Sequence, residues 1–144
     1  MRILYSVTAV ILLFDQLSKF LAVCFLKPIN SVPIFPHIFH LSFVENSGIA
    51  FGLFQGHPEF WMLIITLSVF CLGVISFFFR KQSFLHRLAF GFILGGATGN
   101  WIDRLRFDHV IDFLDFRIWP VFNIADSFIT IGVFLFVWLA LKGE

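Results

Sequence analysis

The chain has 144 residues, 59% of them hydrophobic and only 13% charged, with a mean hydropathy of +0.94 and a formal net charge of +1. A soluble domain averages about 25% charged residues, and one of this length could not hide 23 Phe and 4 Trp without large apolar patches. The near-neutral charge balance leaves no footprint for nucleic acid, and the length fits a single integral membrane domain spanning 1–144.

A spanning helix needs about 20 mostly apolar residues. Four stretches supply them, at about 3–26, 59–79, 86–104 and 120–141, so the expected fold is an all-α membrane protein of four transmembrane helices. The first stretch exceeds the length of a signal-peptide core, about 7–15 residues, and carries Asp15 and Lys19 with no small-residue cleavage site behind it. It reads as a retained helix. Asp15 and Lys19 stand four residues apart on one helical face, which predicts a salt bridge turned toward the bundle interior; contact with a substrate is the sharper alternative. Cys24 and Cys71 lie in apolar runs without metal-ligand spacing and are expected to pack as free buried thiols.

Between the first and second helices, residues 27–58 hold four of the five prolines (Pro28, Pro33, Pro36 and Pro58). The alternation Phe39-His40-Leu41-Ser42-Phe43 predicts a short strand, and Asn46-Ser47-Gly48 supplies turn chemistry. Residues 105–119 alternate in part, with Val110, Phe113 and Phe116 among Asp108, Asp112 and Asp115. A small β element on one membrane face is expected, built mainly from the first of these loops.

Cations near the helix ends set the orientation. Arg2, Arg80, Lys81, Arg87 and Lys142 fall on one side, and Lys27, Arg104, Arg106 and Arg117 on the other. The short 80–87 loop is dense in cations, which places it and both termini in the cytoplasm and the two longer loops outside. Asn100, Asp103 and Arg104 then sit at the outer end of the third helix. Asn123, Asp126, Ser127 and Thr130 sit in the outer half of the fourth, with Asn46 to Gly52 on the same side. The unusual polar groups therefore converge on the outer leaflet.

Asp126 is the outlier. A carboxylate inside a spanning helix costs about 2.5–3.5 kcal/mol at mid-membrane on insertion scales, so such residues are rare and usually functional. Asn123, three residues earlier, could serve the same site. The bland alternative is an interhelical clamp in which Asp126 pairs with Arg104 or Lys19. Hydrolysis needs a second carboxylate, because two close carboxyls share a proton and divide the acid and base roles. Asp103, Asp108, Asp112 and Asp115 are the outer-side candidates, with Asp103 expected to be tied to Arg104. Periodicity does not select among them. No zinc-binding His-Glu-x-x-His, nucleophile elbow or phosphate loop occurs, so neither a metal nor a cofactor is expected. Gly95-Gly96-Ala97-x-Gly99 reads as a close helix-packing face.

Four ordered blocks together resemble the lipoprotein signal peptidases (signal peptidase II), bacterial aspartyl proteases of the inner membrane. They are Asp15-Gln-Leu-Ser-Lys19; Glu45-Asn-Ser-Gly-Ile-Ala-Phe-Gly52; Gly95-Gly-Ala-Thr-Gly-Asn-Trp-Ile-Asp-Arg104 with Val110-Ile-Asp-Phe113; and Phe122-Asn-Ile-Ala-Asp126. The resemblance implies that Asp112 and Asp126 form the catalytic pair. It implies that Asn46, Gly48, Asn100, Arg104, Asn123 and Ala125 shape the substrate site, and that Asp15 and Lys19 support it. It also implies a β cradle on the periplasmic face and, as substrate, a prolipoprotein carrying diacylglyceryl-cysteine, cut just before that cysteine. Membrane lipids are the remaining expected partners, and a monomer is the expected state. One departure stands out: the family commonly has Gly shortly before the Val-x-Asp-Phe block, where this chain has Asp108. The rival readings are a small proton- or ion-coupled transporter using Asp126, Asp15 and Lys19, and a purely structural subunit. The apolar inner half of the fourth helix argues against a path through the membrane.

Overall fold

A computed structural model of the chain describes residues 2–47, 58–79 and 81–143. Gly48, Gly52 and Arg80, to which the sequence gives a substrate, turn or orientation role, lie outside the described residues. In chain order the elements are helix α1 (Arg2–Leu21), a π-helical turn (Ala22–Leu26), strands β1 (Ser31–Phe35) and β2 (Phe39–Asn46), helices α2 (Pro58–Phe79) and α3 (Phe84–Phe107), strand β3 (Val110–Asp115) and helix α4 (Ile124–Leu141). Among the described residues, three helical stretches are long and apolar enough to cross a membrane: Arg2–Leu26, Met62–Phe79 and Ile124–Leu141. α3 is as long as the others but more polar, because Arg87, Asp103, Arg104 and Arg106 lie within it.

α3 is the hub of the bundle, packing against α1, α4 and, more lightly, α2. Small residues allow this. Cβ atoms added at Gly91 and Gly95 would come within 3.0 Å of α1 at Val7, Leu4, Ile11 and Thr8, and one at Gly99 would overlap the Asp15 carboxylate. Glycines at four-residue spacing thus lay one face of α3 directly on the α1 backbone. Gly96 and Gly132 do the same between α3 and α4, against Ala125 and Ala89 respectively. The glycine-rich run is a packing face, as its composition indicates.

The two ends of the bundle differ. At one, Leu4, Phe90 and Leu94 are buried with Leu72, Phe79 and Phe136 around them, and Phe79 stacks on Phe90 with ring centroids 4.6 Å apart. At the other, Ala22 and Leu26 of the π-helical turn pack beneath Ile111 and Phe113 of the sheet. The wider turn carries both residues under the strands, a recurrent use of π geometry near functional sites. Cys24 and Cys71 are free, as expected, but exposed on the helices rather than packed inside; apolar neighbours in sequence face lipid as readily as core in such a chain.

The sheet is antiparallel, in the order β1-β2-β3. β1, the edge strand, tolerates Pro33 and breaks register between Pro33 and Phe35. The register of β2 on β3 shifts between Leu41 and Val44, which sets Val44 opposite Asp112 and Asn46 opposite Val110. The outer side of β3 is covered by the chain entering α4: Phe122 exchanges backbone hydrogen bonds with Leu114, 2.8 Å and 3.1 Å long. α4 begins at Ile124 rather than near residue 120, because this pairing and the Asn123 cap hold the preceding residues extended. α3 starts at Phe84, two residues earlier than the apolar run, behind the Ser83 cap, and runs on to Phe107.

Candidate active site

Asp112 lies in the middle of β3, buried, and not in an open loop as its sequence surroundings indicate. Asn46, at the end of β2, donates from Nδ2 to Asp112 Oδ2 at 2.7 Å. Asn123 donates from Nδ2 to Asp112 Oδ1 at 2.6 Å. The Phe122–Leu114 pairing makes the second bond geometrically accessible, since it sets Asn123 alongside the strand.

Asn123 is the N-cap of α4, with an extended backbone, and not a residue of the helix face. Its Oδ1 accepts from the backbone N of Asp126 at 2.9 Å, and Asp126 Oδ2 accepts in return from the backbone N of Asn123 at 3.3 Å. This reciprocal capping box ties Asp126 into the first turn of α4, where unpaired helix N–H groups favour negative charge. Asp126 Oδ1 accepts from Asn100 Nδ2 at 2.7 Å. The partners of Asp126 are therefore amides, and the ion-pair clamp with Arg104 or Lys19 does not form.

Four carboxylate oxygens, two from each aspartate, thus each accept one N–H from a neutral group. Neutral donors steady an ionised carboxylate without the strong bias toward it that a contacting cation imposes. Burial pushes the Asp112 carboxyl up to about 6, and the nearby charge of Asp126 adds to the rise, while the amides of Asn46 and Asn123 and the more distant Lys19 oppose it. Asp112 is therefore a group that can hold a proton near neutral pH.

Behind the amides lies a fully buried ionic cluster. Lys19, 2% exposed, contacts Asp15 Oδ2 at 2.9 Å, Asp103 Oδ2 at 2.8 Å and Asn100 Oδ1 at 2.8 Å. Asp15 Oδ1 accepts from the backbone N of Ala125 at 3.0 Å, which joins α1 to the start of α4. The spacing of Asp15 and Lys19 correctly indicates an interior salt bridge. Asp103 pairs with Lys19 and not with its neighbour Arg104, whose Nη1 instead donates to the Asn100 carbonyl at 3.4 Å. Adjacent residues on a helix diverge by about 100°, so contiguity in sequence misdirects here.

A family model described as signal peptidase (SPase) II matches residues 7–142. The chain belongs to the signal peptidase II family. The lipoprotein signal peptidase of Halothermothrix orenii is 43% identical over 133 residues, covering 92% of this chain and 91% of that protein. That of Caldanaerobacter subterraneus is 42% identical over 134 residues, covering 92% of each. Two solved structures, each of a bacterial membrane enzyme, share the fold. One has a TM-score of 0.84 at 31% identity, covering 98% of this chain and 94% of its own, and the other 0.82 at 32%, covering 96% and 87%. The chain is thus a multi-pass membrane protein of an aspartic peptidase family.

Of the residues that the family resemblance singles out, Asp112, Asp126, Asn46, Asn100, Asn123, Arg104, Ala125, Asp15 and Lys19 form one continuous polar cluster at the sheet end of the bundle. Gln16 is an addition, bonding Asp103 Oδ1 at 2.9 Å, the Gly99 carbonyl at 3.2 Å and Asp15 Oδ2 at 3.3 Å. Its position inside the Asp15–Lys19 block was the available signal. Asp108 occupies the left-handed region, φ 62°, as the C-cap of α3, and its N–H reaches the Arg104 carbonyl at 3.0 Å. The turn is the left-handed one that glycine favours, and Asp108 adopts it here.

Proposed function

We propose that Asp112 and Asp126 are the catalytic dyad with which this signal peptidase II cleaves prolipoproteins immediately before the diacylglyceryl-modified cysteine. The observation that carries the reading is the double grip of Asn123, whose side chain holds Asp112 while its backbone and side chain cap Asp126. Two carboxyls brought together by one residue, with neutral donors on every oxygen, have the arrangement for sharing a proton.

In the proposed mechanism Asp112 carries the proton and Asp126 is ionised. Asp126 takes a proton from water as the water oxygen attacks the scissile carbonyl carbon. Asp112 gives its proton to the carbonyl oxygen, yielding a neutral gem-diol. On collapse the C–N bond breaks, the departing amine takes the proton held by Asp126, and one diol hydroxyl returns a proton to Asp112. No group beyond water and the dyad is required.

The proposal extends to the membrane. α3, at 24 residues, is about 36 Å long, enough for the hydrocarbon core of about 30 Å. Surrounded by α1, α2 and α4, it needs little lipid-facing apolar surface, and it forms the fourth span of a single domain. With both termini in the cytoplasm, the sheet and the dyad lie at the periplasmic face of the inner membrane, where the lipid-anchored cysteine of a precursor resides. The enzyme acts as a monomer among membrane lipids. Membership of a peptidase family leaves the transporter alternative without support.

The test is a gel-shift cleavage assay on a diacylglyceryl-modified precursor. Asp112→Asn and Asp126→Asn, each still folded in the membrane, are expected to lose cleavage by about a thousandfold or more. Turnover within a few-fold of the parent enzyme in either variant removes that residue from the dyad.

A further inference from the structure

The buried carboxylate of Asp103 touches neither Asp112 nor Asp126, yet it is tied to both. We infer that Asp103 is a positioning residue that fixes the two aspartates relative to each other, acting through Lys19 and Asn100 on one side and through the backbone of β3 on the other. The inference rests on the dyad reading above.

Asp103 is 1% exposed and receives three donors. Gln16 Nε2 bonds Oδ1 at 2.9 Å, while Lys19 Nζ at 2.8 Å and the backbone N of Ile111 at 3.2 Å share Oδ2. Ile111 directly precedes Asp112, so the last bond pins the strand at the point where its carboxylate projects. The Lys19 bond works at longer range. An ammonium only donates, so Lys19 obliges Asn100 to present its oxygen, at 2.8 Å. The other end of that amide, Nδ2, must then face Asp126, which it meets at 2.7 Å. Asn100 Oδ1 also accepts from Asn123 Nδ2 at 3.1 Å, which leaves the amide no second orientation. One carboxylate thereby sets the seat of β3 and, two bonds away, the polarity of the donor to Asp126.

Only an ionised carboxylate meets all three donors. An asparagine at 103 has a single acceptor oxygen and an NH2 that must face a donor. Lys19 or Ile111 N–H is then displaced, and the dyad drifts. Displacement of reacting groups by about 1 Å costs about a hundredfold in rate, while substrate contacts made elsewhere are untouched.

The experiment measures kcat and KM of purified full-length enzyme on the lipidated precursor, normalised to the folded fraction, for Asp103→Asn. Asp103→Asn is expected to lower kcat by about 10- to 100-fold with KM within about twofold. Asp103→Asn leaves Lys19 paired with Asp15, so no charge is stranded and the loss of kcat reads the displaced donors. If kcat per folded molecule stays within twofold of the parent, Asp103 only stabilises the fold and the inference falls. Should Asp103→Asn not fold, Gln16→Met removes one anchor alone and is expected to lower kcat about three- to tenfold; an unchanged kcat overturns the inference. Asp112→Asn and Asp126→Asn run alongside: turnover retained there sinks the dyad reading and the positioning with it, whereas turnover retained only in the 103 and 16 variants sinks the positioning alone.

Discussion

Asn123 Nδ2 lies 2.6 Å from Asp112 Oδ1, so the residue that caps α4 also grips the strand carboxylate. The two jobs are separable. Serine caps a helix about as well as asparagine but offers no amide to reach Asp112. Asn123→Ser is expected to melt within a few degrees of the parent and to lose about tenfold or more in kcat. Asn123→Ala loses both, with about 1 kcal/mol of stability removed as well. Equal turnover in the serine variant and the parent, read in the precursor assay, would show the grip to be idle.

Burial of Asp112 links stability to pH. Its folded value of about 6 stands above the ordinary aspartate range. Between the two, the folded protein keeps a proton that the unfolded chain has released, so stability is greatest at low pH and falls as pH rises through about 6. Asp112→Asn does not titrate. The melting temperature of Asp112→Asn minus that of the parent should therefore rise between pH 4 and pH 8, and a flat difference would contradict the burial effect. The same group, as proton carrier, sets the alkaline limb of kcat/KM, with activity declining above about pH 6 in the free enzyme.

Asp108 holds φ at 62°, and among the described residues its side chain makes no hydrogen bond or ion pair that would offset the strain. Glycine adopts that region without steric cost, whereas an L-side chain does not. Asp108→Gly is expected to stabilise the protein by about 0.5–1 kcal/mol, with turnover unchanged, and a thermal melt in detergent reads the difference.

Gly99 faces Asp15 so closely that a methyl group would overlap the carboxylate. Gly99→Ala must part α1 from α3 or turn Asp15 away from Lys19. Overpacking of this kind costs about 1–3 kcal/mol, and here it also disturbs the bond from Ala125 N–H to Asp15. A lower melting temperature and weaker cleavage are expected together; an unaltered melt would mean that the helices have slack.

The legible parts of this protein were those written in short-range pattern. Long apolar runs found the helices to within a few residues, and the four-residue spacing of Asp15 and Lys19 found their ion pair. Phe39 to Phe43 alternates and is a strand. The choice of Asp112 over Asp103, Asp108 and Asp115 was not written locally. It depends on the one-residue register shift between β2 and β3 and on the Phe122–Leu114 pairing, neither of which leaves a periodic trace. Only the family resemblance singled it out. Asp103 was misassigned for the same reason: its partner Lys19 is 84 positions away in the chain, while Arg104 is merely next to it.

The glycine ladder of α3 has a consequence for how the chain enters the bilayer. α1 is made before α3 and enters lipid carrying Asp15 and Lys19 before that partner exists. The Asp15–Lys19 pair, one turn apart, lets the isolated helix go in as a neutral unit. Among the described residues Asp103 makes no ion pair within its own helix. Its charge becomes tolerable only when Gly91, Gly95 and Gly99 allow α3 to dock against α1 and share Lys19. Docking of these two helices is thus the step at which a chain merely threaded through lipid becomes committed to its native partners, and a bulky residue anywhere on that ladder should send it to quality-control proteolysis instead.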